Sequence, residues 1–409
     1  MISRKNIITS LDIGTTKTCA IIAERVEQNT LNILGFGVSN SKGMMRGTVA
    51  NVIQIADSIR EAVSVASKQA GIKVSSFNVG VADIHFNSMR YRNWVTINNS
   101  EYIVMEEDVE RLINDVHMMK VPSDYFILHV IPEEYLIDEE SSVRNPVGVS
   151  ASKLEAIYHI ILAQKTSTDN LRKAIKRAGY EINKLILQPL ASANAVLDEN
   201  EKELGVAVID IGGGTTDVIV FHNGSVRHSR VIGIAGNHVT NDIRSAFGII
   251  TEQSEGLKIE YGYATPKAIV KDTDVFVSTG GFRQPIRISL SILAEVIQYR
   301  MKELFHLIDN ELKKANLKDK LAAGIVLTGG GSLLKGCVDL AKEVFGKDTR
   351  IGMPYNLGGM IARKLENPIF STAVGLLKDG IQNVVLKESI IVKERASFFE
   401  KIKKFLREL

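Results

Sequence analysis

Only two cysteines, Cys19 and Cys337, occur in 409 residues. That excludes a disulfide framework and reads instead as two small buried residues in a reducing compartment. The formal net charge is only +3, too small to argue for nucleic acid as a partner. No stretch approaches the roughly 20 apolar residues needed to span a bilayer. The opening MISRKNIITSLDIG runs into a strand with no apolar leader or small-residue cleavage site, so a cytoplasmic protein is expected. Two nucleotide signatures are also missing. No G-x-x-x-x-G-K-[ST] loop occurs, and Gly35 and Gly37 in ILGFGVSNS lack the third glycine and helix of a dinucleotide fold.

What is present is one motif written twice, SLDIGTTKTCAII around Asp12 and VIDIGGGTTDVIV around Asp210. Each is an apolar strand ending in Asp, a glycine turn with paired threonines, and a second apolar strand. Such a turn lets backbone N–H groups converge on an anion, because glycine tolerates positive φ and has no Cβ to block the approach. The Asn or Asp that often marks a plain hairpin turn is missing, and a carboxylate precedes each turn where a metal ion would sit. A third glycine cluster, VLTGGGSLLKG, runs from Val326 to Gly336. Two clamps on one polyphosphate are the simplest reading.

The length suits two or more domains, and the composition is that of a globular protein. Strand-like and helix-like segments alternate: Ile7 to Ala23 and Leu31 to Val38 are β-branched, whereas Val52 to Ala70 has helical apolar spacing. This is an α/β pattern. From His85 to His159 the texture changes. MEEDVERLINDVHMMK puts Val109, Leu112, Ile113, Val116 and Met119 on one helical face, followed by strand-like FILHVIPEEYLI, which predicts a small α+β insertion. Glu106, Glu107 and Asp108 resemble a metal cluster but suit the positive end of that helix better. Ser167 to Gly179 reads as a helix with Gly179 as its C-cap. Two strand-like stretches, DTDVFVST and FRQPIRISL, precede a long helix ending near Lys314.

The ordered set LDIGTTKT, LQPLASANAVL, IDIGGGTTDV, LTGGGSLLKG and PIFSTAVGLL resembles the five nucleotide-site motifs of the actin, Hsp70 and sugar-kinase superfamily. Within it, GTVANV, HVIPEEYLID and GxxVTNDI make the chain similar to the FtsA family of actin-like bacterial division proteins. The resemblance implies a duplicated, RNase H-like two-lobe fold. Residues 1–84 and 161–196 would form the first lobe and 85–160 its inserted domain. Residues 197–226 and 302–380 would form the second lobe, with 227–301 as its small subdomain.

Carried over residue by residue, the resemblance implies ATP with Mg²⁺. Gly14, Thr15, Thr16 and Lys17 would hold the phosphates from one lobe, and Gly212, Gly213, Gly214, Thr215 and Thr216 from the other. Asp12 and Asp210 would orient waters around the metal. Gly329, Gly330 and Gly331 would admit the adenosine, with Glu255 and Lys258 at ribose and base. Gln188 takes the place of the water-aligning residue. A carboxamide can position water but not take its proton, so hydrolysis is expected to be slow or negligible.

After a charged linker, 381–396, the residues 397–409, SFFEKIKKFLREL, place Phe398, Phe399, Ile402, Phe405, Leu406 and Leu409 within about 120° of a helix. Lys401, Lys403, Lys404 and Arg407 dominate the opposite face, the pattern of an interfacial membrane helix. The resemblance implies a polymerising adaptor that anchors the tubulin-like FtsZ to the cytoplasmic membrane at the division site and recruits later division proteins. Arg300 and Lys302 are candidates for gripping the acidic FtsZ tail. The alternatives are a pilus-assembly protein of the PilM type, which lacks such a terminal helix, and a small-molecule kinase, which would need a catalytic Asp facing a substrate pocket.

Overall fold

The computed structural model describes residues 6–26, 30–278 and 284–380. Two sheets of one topology carry the two glycine motifs. In the first, Ile7–Ile13 pairs antiparallel with Lys17–Arg25, which pairs antiparallel with Leu31–Asn40. On its other side Ile7–Ile13 runs parallel to Ser76–Val81, and that strand parallel to Glu181–Leu187. The second sheet repeats the scheme. Val206–Ile211 is antiparallel to Thr216–His222, which leads to Ser225–Ile232, and parallel to Ile325–Thr328, which leads to Thr349–Ile351. In each sheet the central strand is the one that ends at a motif aspartate, and it is buried almost throughout. A strand covered on both faces has to be apolar along its length, which is why these motifs show no in–out alternation.

Helix Val52–Ala70 lies on the first sheet. The Asn51 side chain accepts from the Ile53 and Gln54 N–H groups, Gly71 at φ 66° ends the helix, and Ile55, Ile59, Ala62, Val63 and Ala66 turn inward. Gly35 and Gly37 find their purpose here: a Cβ on either would overlap the Ala66 or Ala62 carbonyl, so they let the helix settle onto the strand. Helix Gln188–Val196 and the helix over 371–380 cross between the two sheets. Their residues Ala193, Ala195, Ala373, Val374 and Leu377 share one core with Cys19 and Ile21 of the first sheet and Val208 and Ile219 of the second.

The predicted insertion is a four-stranded antiparallel sheet in the order Asn87–Thr96, Lys153–Gln164, Tyr125–Ile137, Ser141–Val143. Helix Glu106–His117 covers it, with Leu112 and Val116 buried and Val109, Ile113 and Met119 packed beside them. Asp108 accepts from the Met105 N–H at 2.8 Å and from Arg111 at 2.5 Å, so this acid serves the helix end. Helix Lys165–Ala178 closes at Gly179, φ 93°, the predicted cap. Helices Gly236–Phe247, Thr251–Tyr261 and Leu290–Lys314 and a short hairpin, Asp274–Val277 with Ile286–Ser289, pack against the second sheet.

Buried polar contacts tie the insertion to both lobes. Glu133 accepts from Arg90 at 2.8 Å and from Arg227 of the second sheet at 3.1 Å, and His159 Nε2 lies 3.0 Å from Ser229 Oγ. His129 Nε2 accepts the Leu187 N–H of the first sheet at 3.0 Å, which requires the ring neutral with its proton on Nδ1. Burial, reinforced by Lys184, lowers His129 to about 4, and burial with His228 lowers His159 to about 4.

A pH dependence of stability follows. Unfolded histidines protonate near pH 6.5 while these two resist, so their stabilising effect is complete above pH 6.5 and is lost as pH falls toward 4. Between pH 7.5 and 5 the loss is about 2 kcal/mol for His159 and somewhat less for partly exposed His129. Denaturant midpoints at the two pH values are expected to converge in a His159→Asn variant relative to the parent. An equal pH response of both proteins would show that His159 is protonated in the fold.

Candidate functional site

Both motif turns close in the same way, with Gly14 N–H donating to the Lys17 carbonyl at 2.9 Å and Gly212 N–H to the Thr215 carbonyl at 3.0 Å. The turns face each other across the cleft between the sheets. A Cβ on Gly213 would overlap Thr16 Cγ2 and one on Gly214 would overlap Thr15 Oγ1, so side chains there would obstruct the facing threonines. The third cluster follows strand Ile325–Thr328. Gly329, at φ 79°, passes beside Asp210, and Gly330–Leu333 forms a 3₁₀ turn.

These three glycine turns open on a cavity of about 490 Å³. Its polar wall includes Asp12, Gly14, Thr15, Thr16, Lys17, Gln188, Asp210, Gly212, Gly213, Gly214 and Thr215. Farther along lie Glu255, Lys258, Gly329, Gly330 and Gly331. Apolar lining comes from Val239, Ile259, Met301, Leu333, Leu334 and Ile369, of which Ile259 and Met301 fall outside the motifs quoted above. One expected residue is misplaced. Thr216 does not line the cavity: it is fully buried, and its hydroxyl donates to the Ile234 carbonyl at 2.7 Å. The next residue, Asp217, lines the cavity in its place.

Three carboxylates meet at the polar wall in different states. Asp12 Oδ2 accepts from Lys17 Nζ at 3.2 Å, and Gln188 Nε2 reaches Asp12 Oδ1 at 3.5 Å. Burial alone would lower the Lys17 ammonium, but Asp12 outweighs it and Lys17 is raised above its usual range. Asp210 Oδ2 accepts from Ser192 at 2.5 Å and from Thr372 at 3.2 Å, and burial nevertheless raises it. Asp217 is pushed well above the usual carboxylate range by burial and by Asp210 and Asp12, and its Oδ1 has no hydrogen-bond partner. The site thus gathers more negative charge than Lys17 balances, which suits an added cation. Among the described residues no three His, Cys, Asp or Glu side chains could hold a metal by themselves. Any metal here would draw further ligands from water and phosphate, as Mg²⁺ does.

Glu255 and Lys258 sit on one face of helix Thr251–Tyr261. Lys258 Nζ donates to Glu255 at 2.7 Å, to Thr240 at 2.9 Å and to the Gly236 carbonyl at 3.2 Å, so this pair is part of the cavity wall. Arg300 and Lys302 are not brought together. Arg300 forks onto Asp242, at 2.6 and 2.9 Å, and also bonds Glu303, whereas Lys302 pairs with Glu343 at 3.1 Å. The tail side chains, Phe398 to Leu409, lie outside the described residues. Among the described residues no helix is long and apolar enough to cross a membrane.

Residues 207–375 match the family model "Cell division protein FtsA", and residues 84–162 match "SHS2 domain inserted in FTSA". The chain is 40% identical to the cell division protein FtsA of Pseudomonas aeruginosa over 375 residues, covering 92% of this chain and 89% of that one. It is 37% identical to the FtsA proteins of Neisseria meningitidis, covering 97% and 96%, and of Escherichia coli K12, covering 95% and 94%. Among solved structures it is similar to the PilM–PilN type IV pilus biogenesis complex, with TM-score 0.65, 17% identity and coverage of 91% and 98%. MreB5 of Spiroplasma citri bound to ADP gives TM-score 0.56, 16% identity and coverage of 92% and 99%. These two likenesses concern the fold, whereas the sequence matches run nearly end to end. The chain belongs to the FtsA family of cell division proteins, on an actin-like two-lobe fold with an inserted SHS2 domain.

Proposed function

We propose that this division protein binds ATP with Mg²⁺ in the 490 Å³ cavity and polymerises on the cytoplasmic face of the membrane at the division site. There it would anchor the FtsZ ring and recruit later division proteins. The observation that carries the nucleotide reading is the convergence of two Asp-Gly-Thr turns from equivalent strands on one cavity that also has apolar lining. Backbone N–H groups and Lys17 would hold the phosphates from both lobes, and the apolar side chains of the lining would take the base. Mg²⁺, held through water by Asp12 and Asp210, would supply charge neutralisation at the phosphates. Gln188 would orient the attacking water, and its inability to accept a proton keeps turnover slow.

The division of the chain into lobes at 84, 160, 196, 226 and 301 belongs to the same reading. So does the membrane role of 397–409, which rests on the sequence pattern. Six apolar side chains at roughly 1.5–3 kcal/mol each for full burial, halved or worse for partial insertion, give reversible binding by one helix. A filament carrying many such helices would bind far more strongly. For the FtsZ tail, an acidic peptide would have to displace Asp242 from Arg300 or Glu343 from Lys302.

Co-sedimentation with anionic vesicles tests this. The full chain is expected to pellet with vesicles, more with ATP than with ADP, and a chain ending before Ser397 is expected to stay in solution. Absence of pelleting by the full chain with either nucleotide would refute the membrane role.

A further inference from the structure

A second cavity, of about 20 Å³, lies behind the first, and among the residues lining the two, Gln188 is the one they share. Ile13, Met44, Val49 and Leu171 give it apolar walls, and the rest includes the two places where the chain enters and leaves the inserted domain. Asp83 and Phe86 line it on the way in, and Gln164, Ser167 and Thr168 on the way out. Asp83 is buried at 4% exposure. Its Oδ1 accepts the His85 N–H at 3.0 Å, while its Oδ2 has no hydrogen-bond partner in the protein. A buried carboxylate oxygen left without a hydrogen-bond partner is unfavourable. A space of about 10–15 Å³ admits one water, provided that polar groups surround it, and the two glutamines and Asp83 supply them. The inserted domain touches this region at a third point, because His129 accepts the N–H of Leu187, the residue immediately before Gln188.

We propose that the small cavity holds a water that donates to Asp83 Oδ2 and bonds the Gln188 carboxamide. Asp83 is then a positioning residue for Gln188. Because both crossings into the inserted domain line the same cavity, any shift of that domain moves the Asp83–water–Gln188 contact and hence the group aimed at the nucleotide. The inference rests on the reading of Gln188 as the residue that orients the attacking water.

A high-resolution crystal structure of the full chain, with and without a non-hydrolysable Mg²⁺–ATP analogue, is the direct test. Ordered water between Asp83 and Gln188 is expected in both forms, and a dry cavity would overturn the proposal. A double-mutant cycle tests the role. Asp83→Asn keeps the bond from the His85 N–H and is expected to lower kcat for ATP about five-fold with KM unchanged, and to have no further effect in a Gln188→Ala background. If turnover is too slow to follow, the same cycle is read on the ratio of ATP to ADP affinity. Additive losses would show that Asp83 acts independently of Gln188 and would sink the proposal. A chain that binds neither nucleotide would instead refute the nucleotide reading, while the crystallographic water would still decide the present one.

Discussion

Gly375→Ala is expected to lower the melting temperature by at least roughly 4 °C or to abolish soluble expression. Gly375 lies in the helix over 371–380 where it crosses helix Gln188–Val196, and a Cβ there would overlap the Ala191 carbonyl oxygen and carbon. The obstructing atoms are backbone, so no rotamer change relieves the clash and the helices have to move apart. Overpacking a core costs about 1–3 kcal/mol, occasionally more, and an immovable partner puts this site at the upper end. Separating the helices would also open the core that Ala193, Ala373, Val374 and Leu377 share with both sheets. Thermal unfolding followed by circular dichroism measures the effect. An unchanged melting temperature would mean that the two helices pack less closely than described.

The largest functional effect is expected at Gly214. Gly214→Val would place two methyl groups against Thr15, in the mouth of the phosphate cradle between the lobes. Holding the turns apart removes the two-sided grip, and ATP affinity is expected to fall at least about 100-fold, or about 2.8 kcal/mol. The fold should survive, because the atoms in the way belong to the Thr15 side chain and not to backbone. Two readouts separate the cases. A fluorescent ATP analogue should lose binding, and the thermal stabilisation that saturating ATP gives the parent should vanish in the variant, while the nucleotide-free melting temperatures stay within a few degrees. Parent-like affinity would mean that the polyphosphate does not lie between these turns.

Most of the first cleft wall is legible in the sequence because its chemistry is local. A strand, a carboxylate and a glycine turn are contiguous, so Asp12, Gly14, Thr15, Thr16, Lys17, Asp210, Gly212, Gly213, Gly214 and Thr215 all line the cavity. Thr216 fails for a reason of register. It opens the strand Thr216–His222, where successive side chains point to opposite faces. Thr215 faces the cavity, Thr216 turns away to the Ile234 carbonyl, and Asp217 turns back. A strand of period two, applied from the end of the turn, would have found Asp217. Arg300 looked like a free cation because its partner, Asp242, stands 58 residues away on another helix.

The sequence alone therefore determined the elements whose signals span a few residues: both aspartate turns, the cap at Gly179, the apolar face of the inserted helix and the amphipathic pattern of 397–409. Hydrogen-bonding rules and side-chain periodicity act over such distances. Only the tertiary structure decided which charges are already paired, how close the two crossing helices lie, and which apolar side chains line the cavity. Those depend on side chains far apart in the chain, such as Val239, Met301 and Ile369 lining one cavity, and on backbone approaches that no local pattern encodes.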